Sequence, residues 1–146
     1  LYGKQPPVVS DKGFFRILIS SKTACKDLLR FSQFKALEWR VPTLKANKTA
    51  EKEWLRSFFD CEAYVSKKSI VLQCVNEKGL MQVQKLLAKF SIESRLYKYT
   101  RKNKNWNINH ILVISKKENM LTFQQQIGFN HLKKQKKLKE HLAGFA

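Results

Sequence analysis

Asp60 and Glu62 stand one residue apart at the end of an apolar run that begins at Trp54 and reads Trp-Leu-Arg-Ser-Phe-Phe. Carboxylates are the ligands a hard divalent cation prefers. Magnesium usually takes one or two of them and completes its shell with phosphate and water. An isolated Asp-x-Glu is ordinarily the solvated end of a helix, so this pair takes its meaning from what surrounds it. Other reactive sets are thin. His110, His131 and His141 are not spaced as a metal-binding histidine unit, and no GxxxxGK[ST] loop is present to cradle phosphate. Cys25, Cys61 and Cys74 form an odd set with no CxxC, which argues against a disulfide framework or a zinc site and points to a reducing, intracellular compartment.

Positive charge is abundant. Lysine and arginine number 29 against 11 acidic residues, a formal net charge of +18. Such a surplus favours an anionic partner, nucleic acid first, because each cation set on a phosphate releases a condensed counterion. No apolar run approaches the roughly 20 residues of a membrane span, and the first ten residues lack the basic start and apolar stretch of a signal peptide. With 43% hydrophobic residues and ten phenylalanines in 146 residues, the chain can bury a core of one domain, or of one domain and part of another. It opens on Leu1 rather than Met, and the expectation is that it belongs with a longer sequence.

The elements that must position the acidic pair follow from periodicity. Residues 1–13 read as loop because of Gly3, Pro6, Pro7 and Gly13. A strand over 14–19 and a helix over 23–34, with Leu28, Leu29 and Phe31 on its apolar side, come next. Trp39-Arg40-Val41-Pro42 breaks that helix, and 43–49 reads as a polar connector. A stronger helix runs from about 50 to 61, with Thr49 suited to its N-cap. Strands at 63–67 and 69–75 meet at a tight turn, Lys67–Lys68. A helix over 77–90 carries Leu80, Val83, Leu87 and Phe90 at helical spacing. Strands at 92–100 and 108–115 flank the basic hairpin 101–107. A helix at 117–126 and a lysine-rich one at 131–142 close the chain. From residue 50 onward the order reads αββαββα, an α+β class. A weak internal repeat relates 15–22 (Phe-Arg-Ile-Leu-Ile-Ser-Ser-Lys) to 110–117 (His-Ile-Leu-Val-Ile-Ser-Lys-Lys).

Leu55-Arg56-Ser57-Phe58-Phe59-Asp60-Cys61-Glu62-Ala63 resembles the motif of the LAGLIDADG homing endonucleases. Apolar residues fill its first, fourth and fifth positions and acids its sixth and eighth, while Ser57 and Ala63 replace its two glycines. Leu86–Ser94 resembles the family's helix-to-strand passage, and Lys117-Glu118-Asn119-Met120-Leu121 its KEN segment. Ile127-Gly128-Phe129, followed by Lys133, Lys134 and Leu138, resembles its IGF segment, and Trp39–Pro42 its linker into a second motif helix. The likeness covers residues 39–142 well and 14–34 weakly.

The resemblance implies the LAGLIDADG fold, with an antiparallel sheet laid on DNA, and a site-specific double-stranded DNA endonuclease of homing type, hosted by an intron or intein. Glu62 would be the metal ligand, with Asp60 and the backbone carbonyl of Cys61 in support, around Mg2+ or Mn2+. Lys134, or Lys133 one place off, would be the auxiliary cation near the scissile phosphate. Leu55, Ser57, Phe58 and Phe59 would form the interface between repeats. The partner would be a second copy of the chain or an upstream repeat, with residues 1–38 a remnant of that repeat, 39–49 a linker and 50–146 the complete domain. On the sheet, alternation turns Ile70, Leu72, Cys74, Ile92 and Leu96 inward. Ser69, Val71, Gln73, Arg95, Tyr97, Tyr99 and Arg101 then face DNA, extended by Ser66 and Lys68, with Lys102, Lys104 and Lys133 as further contacts. The alternative is an inactive domain of this fold that binds RNA or DNA as a splicing maturase or transcription-related factor. An RNA-binding scaffold unrelated to nucleases would instead show stacking aromatics on an open sheet.

Overall fold

The computed structural model describes residues 7–11, 14–17, 20–33, 35–43, 47–100 and 107–144. A two-stranded antiparallel hairpin comes first, β1 (Val8–Asp11) on β2 (Phe14–Ile17), followed by α1 (Lys22–Phe31). The second unit runs α2 (Lys48–Glu62), β3 (Ala63–Ser66), β4 (Ser69–Cys74), α3 (Glu77–Ala88), β5 (Arg95–Tyr99), β6 (Asn109–Ile114), α4 (Lys117–Gln126) and α5 (Leu132–Ala143). Its four strands pair antiparallel in the order β3-β4-β6-β5.

The sheet is covered on one face. Leu55 and Phe59 of α2, Val65 and Ile70, Leu80, Val83 and Leu87 of α3, Leu112 and Ile114, Met120 and Phe123 of α4, and Leu138 and Leu142 of α5 form one buried cluster. Both periods of the sequence converge here: every second residue of the strands and every third or fourth of the helices turn to the same interior. The strand-period reading therefore holds for Ile70 and Leu72, both at most 1% exposed, and Leu112 and Ile114 of β6 are buried beside them.

Several boundaries differ from the sequence reading. Val8–Asp11 is a strand rather than loop. The Pro6-Pro7 pair dominated that reading, but Val8 and Val9 suit a strand and Ile17 and Arg16 are there to pair with them. Asn47, not Thr49, caps α2, its side chain accepting from the Ala50 N–H at 3.1 Å. The strand expected from residue 92 begins at Arg95. Ser91 adopts a left-handed φ of 59°, and the Ile92 N–H returns to the Leu87 carbonyl at 3.1 Å, closing α3 and delaying β5. A serine there costs about 1–2 kcal/mol relative to glycine. On α1, Leu28, Leu29 and Phe31 are 46%, 47% and 57% exposed, so the apolar side read from periodicity has no covering element among the described residues.

The segment at residues 39–41 is docked rather than free. Asn76 Nδ2 donates to the Trp39 carbonyl at 2.7 Å, and the Val41 N–H donates to Gln82 Oε1 at 2.8 Å. The Trp39 ring lies so close to Gly79 that a Cβ there would stand 2.6 Å from it, which is the physical need for glycine in the first turn of α3. The aligned segments 15–22 and 110–117 occupy matching places. Lys22 opens α1 and Lys117 opens α4, each after a hairpin. Among the described residues no helix is long and apolar enough to cross a membrane.

Candidate metal and nucleic-acid site

The motif helix α2 has two faces. Leu55 and Phe59 are 0% exposed and belong to the domain's own core, where Phe59 packs on Phe123 with ring centroids 4.9 Å apart and Phe123 on Phe129 at 5.2 Å. The sequence reading set them at the repeat interface together with Ser57 and Phe58. In the structure only Ser57 of the four is exposed, as is Cys61 one turn on; Phe58, like Trp54, is half-buried and packs against the margin of the core. The physical reason is that nine residues of helix make two and a half turns, so the motif's apolar positions cannot all share one side. Trp54 stacks on Phe58 at 4.9 Å, and Trp39 packs on Phe58 at 5.1 Å. These rings, with Leu28 and Phe31 of α1, line a cleft of about 670 Å³ that also has Glu62 and Gln73 on its wall.

The C-terminal end of α2 is locked to α5 in two directions. Asp60 Oδ2 and Oδ1 accept the backbone N–H groups of Asn130 and His131 at 3.0 and 3.1 Å. These two N–H groups lie at and just before the N-cap of α5, His131, which makes no side-chain capping bond of its own. In return Lys134 Nζ donates to the carbonyls of Asp60 and Phe59 at 2.6 and 3.3 Å. An anion therefore sits at the positive end of one helix and a cation at the negative end of the other. Gly128 makes the approach possible. Its φ of 68° ends α4, its N–H bonds the Phe123 carbonyl at 2.7 Å, and Phe129 then turns into the core. Arg56 Nε adds a bond to the Ile127 carbonyl at 2.7 Å, a tie that its place in the motif did not suggest.

Both Asp60 oxygens are thus engaged with backbone, whereas Glu62, two residues on, is exposed and projects at the junction of helix and sheet. Cys61 is exposed beside it and is a free thiol. Among the described residues no cluster of three or more His, Cys, Asp or Glu side chains converges. Replacing Asp60 with Ala is expected to cost about 1–2 kcal/mol, the worth of a good N-terminal cap, and to free the start of α5. Amide exchange at Asn130 and His131 should accelerate markedly; unchanged protection there would refute the lock.

The uncovered sheet face carries the other expected residues. Arg95, Tyr97 and Tyr99 alternate along the edge strand β5, and all are exposed. Gln73 is exposed, donates to Tyr64 Oη at 3.4 Å and accepts from Asn109 Nδ2 at 3.4 Å. Ser66 is half-buried with its Oγ 2.6 Å from that of Ser69, closing the β3–β4 turn, where Lys68 is exposed. Lys133 is exposed on the first turn of α5. Arg101, Lys102 and Lys104 lie outside the described residues. Val71, expected outward, is on that face but only 7% exposed, flanked in register by Tyr64 and Val113. The sequence reading did not single out Tyr64, Ile111 or Val113. Alternation along 108–115, continued from the inward Leu112, would have found the last two. At the start of β5, the hydrogen bond and charge of Lys116 hold the Glu93 carboxyl below its usual range.

A model of the LAGLIDADG-like domain matches residues 49–128, more than half of the chain. The chain belongs to the LAGLIDADG family. Three curated relatives add to this. A replication factor C small subunit of Methanocaldococcus jannaschii is 35% identical over 126 residues, 85% of this chain and 7% of that protein. A glutamine–fructose-6-phosphate aminotransferase of the same organism is 36% identical over 87 residues, 58% of this chain and 8% of its own length. A replication factor C small subunit of Thermococcus kodakarensis is 34% identical over 83 residues, 57% of this chain and 9% of that protein. The chain therefore spans less than a tenth of the relatives it matches. LAGLIDADG domains are nucleic-acid-binding modules of homing endonucleases or maturase-type proteins, and they often act in pairs.

Proposed function

We propose that this LAGLIDADG chain is the DNA-binding and cutting part of a site-specific endonuclease of homing type, which hydrolyses phosphodiester bonds of double-stranded DNA with a divalent metal. The observation that carries the reading is the isolation of Glu62. It is an exposed carboxylate at the end of a helix whose last turn is clamped by Asp60 and Lys134, at the meeting point of the motif helix and the open sheet face.

The donor chemistry suits magnesium or manganese. Glu62 offers one hard oxygen ligand and the last carbonyls of α2 are close by. A phosphate, water and the matching acid of a second motif would complete the shell. A bound divalent ion there would polarise the phosphate and lower the pKa of the attacking water. The chain's own residues do the rest. Asp60 holds the helix end through α5, Lys134 keeps a positive charge within one turn of Glu62, and the sheet fixes the duplex in register.

One chain supplies one such carboxylate. The exposed Leu28 and Phe31 of α1 and the half-buried Trp54 and Phe58 of α2 line a cleft suited to a second motif helix, from another copy or from an upstream repeat. The β1-β2-α1 order, which matches β5-β6-α4, favours the upstream repeat, and residues 1–38 then belong to that repeat. Similar segments make up under a tenth of relatives named for different activities. Such a segment is better read as an inserted element than as the source of either host's activity, so an intein is the favoured setting.

The engagement of Asp60 with backbone favours one second reading, a domain that binds RNA or DNA without cutting. A randomised duplex library incubated with the chain, joined to its upstream sequence where there is one, separates the two. Cleaved products that appear with Mg2+ and vanish with EDTA support the endonuclease. Retained duplexes with no cleavage under either condition would sink it.

A further inference from the structure

The open sheet face is unusual in what its two central strands present. Outward on β4 and β6 stand three aliphatic residues, Val71, Ile111 and Val113, with Gln73 directly across from Ile111 and Ser69 and Asn109 toward the strand ends. Val71 is buried between its neighbours, while Ile111 and Val113 are half-exposed. None of the three can donate or accept a hydrogen bond. The tyrosines lie to either side, Tyr64 on edge strand β3 and Tyr97 and Tyr99 on edge strand β5, at 48%, 48% and 54% exposure.

We infer that this face reads the 5-methyl groups of thymine, so that its DNA half-site carries T·A pairs opposite Ile111 and Val113. The inference rests on the duplex-binding reading above and names the sequence class that reading leaves open. A sheet laid in the major groove brings its central strands deepest, and strands about 4.8 Å apart leave the edge strands near the groove walls. The methyl of thymine is the one apolar group the major groove offers; the other base edges present donors and acceptors. Setting Ile111 and Val113 against a G·C pair would strip water from those polar edges without replacing it, and the penalty for an unmade bond exceeds the gain of a made one.

The polar residue at the centre of the same surface agrees with this. Gln73 is held by two long bonds of 3.4 Å to Tyr64 and Asn109, and a glutamine amide matches N6 and N7 of adenine, the partner of thymine. The net charge of +18 supplies affinity for phosphate but no discrimination between bases. An unpaired strand is the less suitable occupant. Bases stack on aromatic rings, and here the rings stand on the edge strands while the centre holds aliphatic side chains and Gln73.

The test uses the full chain and duplexes recovered from a randomised pool by binding. The sites should show T·A pairs at the positions facing β4 and β6. The best duplex is then resynthesised with uracil for thymine, which removes the methyl groups and leaves base pairing intact. Affinity should fall about fourfold per buried methyl, or about 15-fold for two. In the double variant Ile111→Gln, Val113→Gln, which puts polar amides in place of the aliphatic groups, the thymine-to-uracil ratio should approach one. Equal binding of thymine and uracil duplexes by the parent chain would overturn this inference and leave the DNA reading intact. Tighter binding of the unpaired strand than of the duplex would overturn it as well. Failure to bind any duplex would remove the DNA reading and this inference together.

Discussion

Changing Glu62 to Gln is expected to lower DNA cleavage by at least about a thousandfold while leaving duplex affinity within about twofold. The substitution keeps the shape of the side chain and removes its charge. A metal ligand contributes several kcal/mol of transition-state stabilisation, and each 1.36 kcal/mol is tenfold in rate. Binding should survive because Glu62 is one exposed acid against a chain of net charge +18; loss of a negative charge facing phosphate can only favour association. Single-turnover cleavage of a selected target, with affinity measured in parallel on an uncut duplex, gives both numbers. A variant that cuts within tenfold of the parent would take Glu62 out of the reaction. A variant that loses binding as well would mean that its role is to shape the site. Asp60→Asn is the informative companion. Its carboxylate is already bonded to Asn130 and His131, so its effect should fall on the stability of α5 more than on the chemical step.

The second large effect is on the fold. Phe59→Ala should destabilise the chain by about 3–5 kcal/mol, the usual cost of deleting a fully buried aromatic ring. Phe59 is 0% exposed and begins a line of rings through Phe123 to Phe129 that ties α2 to α4 and to the approach of α5. Total stabilities of such domains run to about 5–15 kcal/mol, so this single change removes a large part of the margin. Urea midpoints for Phe59→Ala and for Ser57→Ala make the comparison. Ser57 is exposed on the opposite side of α2 and should shift stability by no more than about 0.5 kcal/mol in the isolated chain. If Phe59→Ala were as mild as Ser57→Ala, Phe59 would not be a core residue, and the division of α2 into a core face and an outward face would fail.

The sequence by itself determined much of the order of this protein. Helical spacing of Leu80, Val83 and Leu87 marked α3, and alternation marked β4 and the outward set Arg95, Tyr97 and Tyr99, because these signals repeat within a few residues and need no knowledge of the rest of the chain. The motif around Asp60 and Glu62 identified the family for a similar reason, since its residues are contiguous. Only the tertiary structure decided how those residues are used. Asp60 meets Asn130 and His131 across 70 and 71 positions, and Arg56 meets Ile127 across 71. Contacts that distant leave no periodic trace in the sequence. Two acids that look equivalent in an Asp-x-Glu were therefore separated by folding. One was turned to cap a helix that comes much later in the chain, and the other was left facing solvent. The same holds for the repeat interface. Leu55, Phe58 and Phe59 are all apolar, but a helix sends such neighbours to different sides, and the position of the sheet decides which side becomes core. Of the hairpin, β2 was legible but β1 was hidden, because a strand's stability comes from its partner strand, while the prolines beside β1 are a purely local signal.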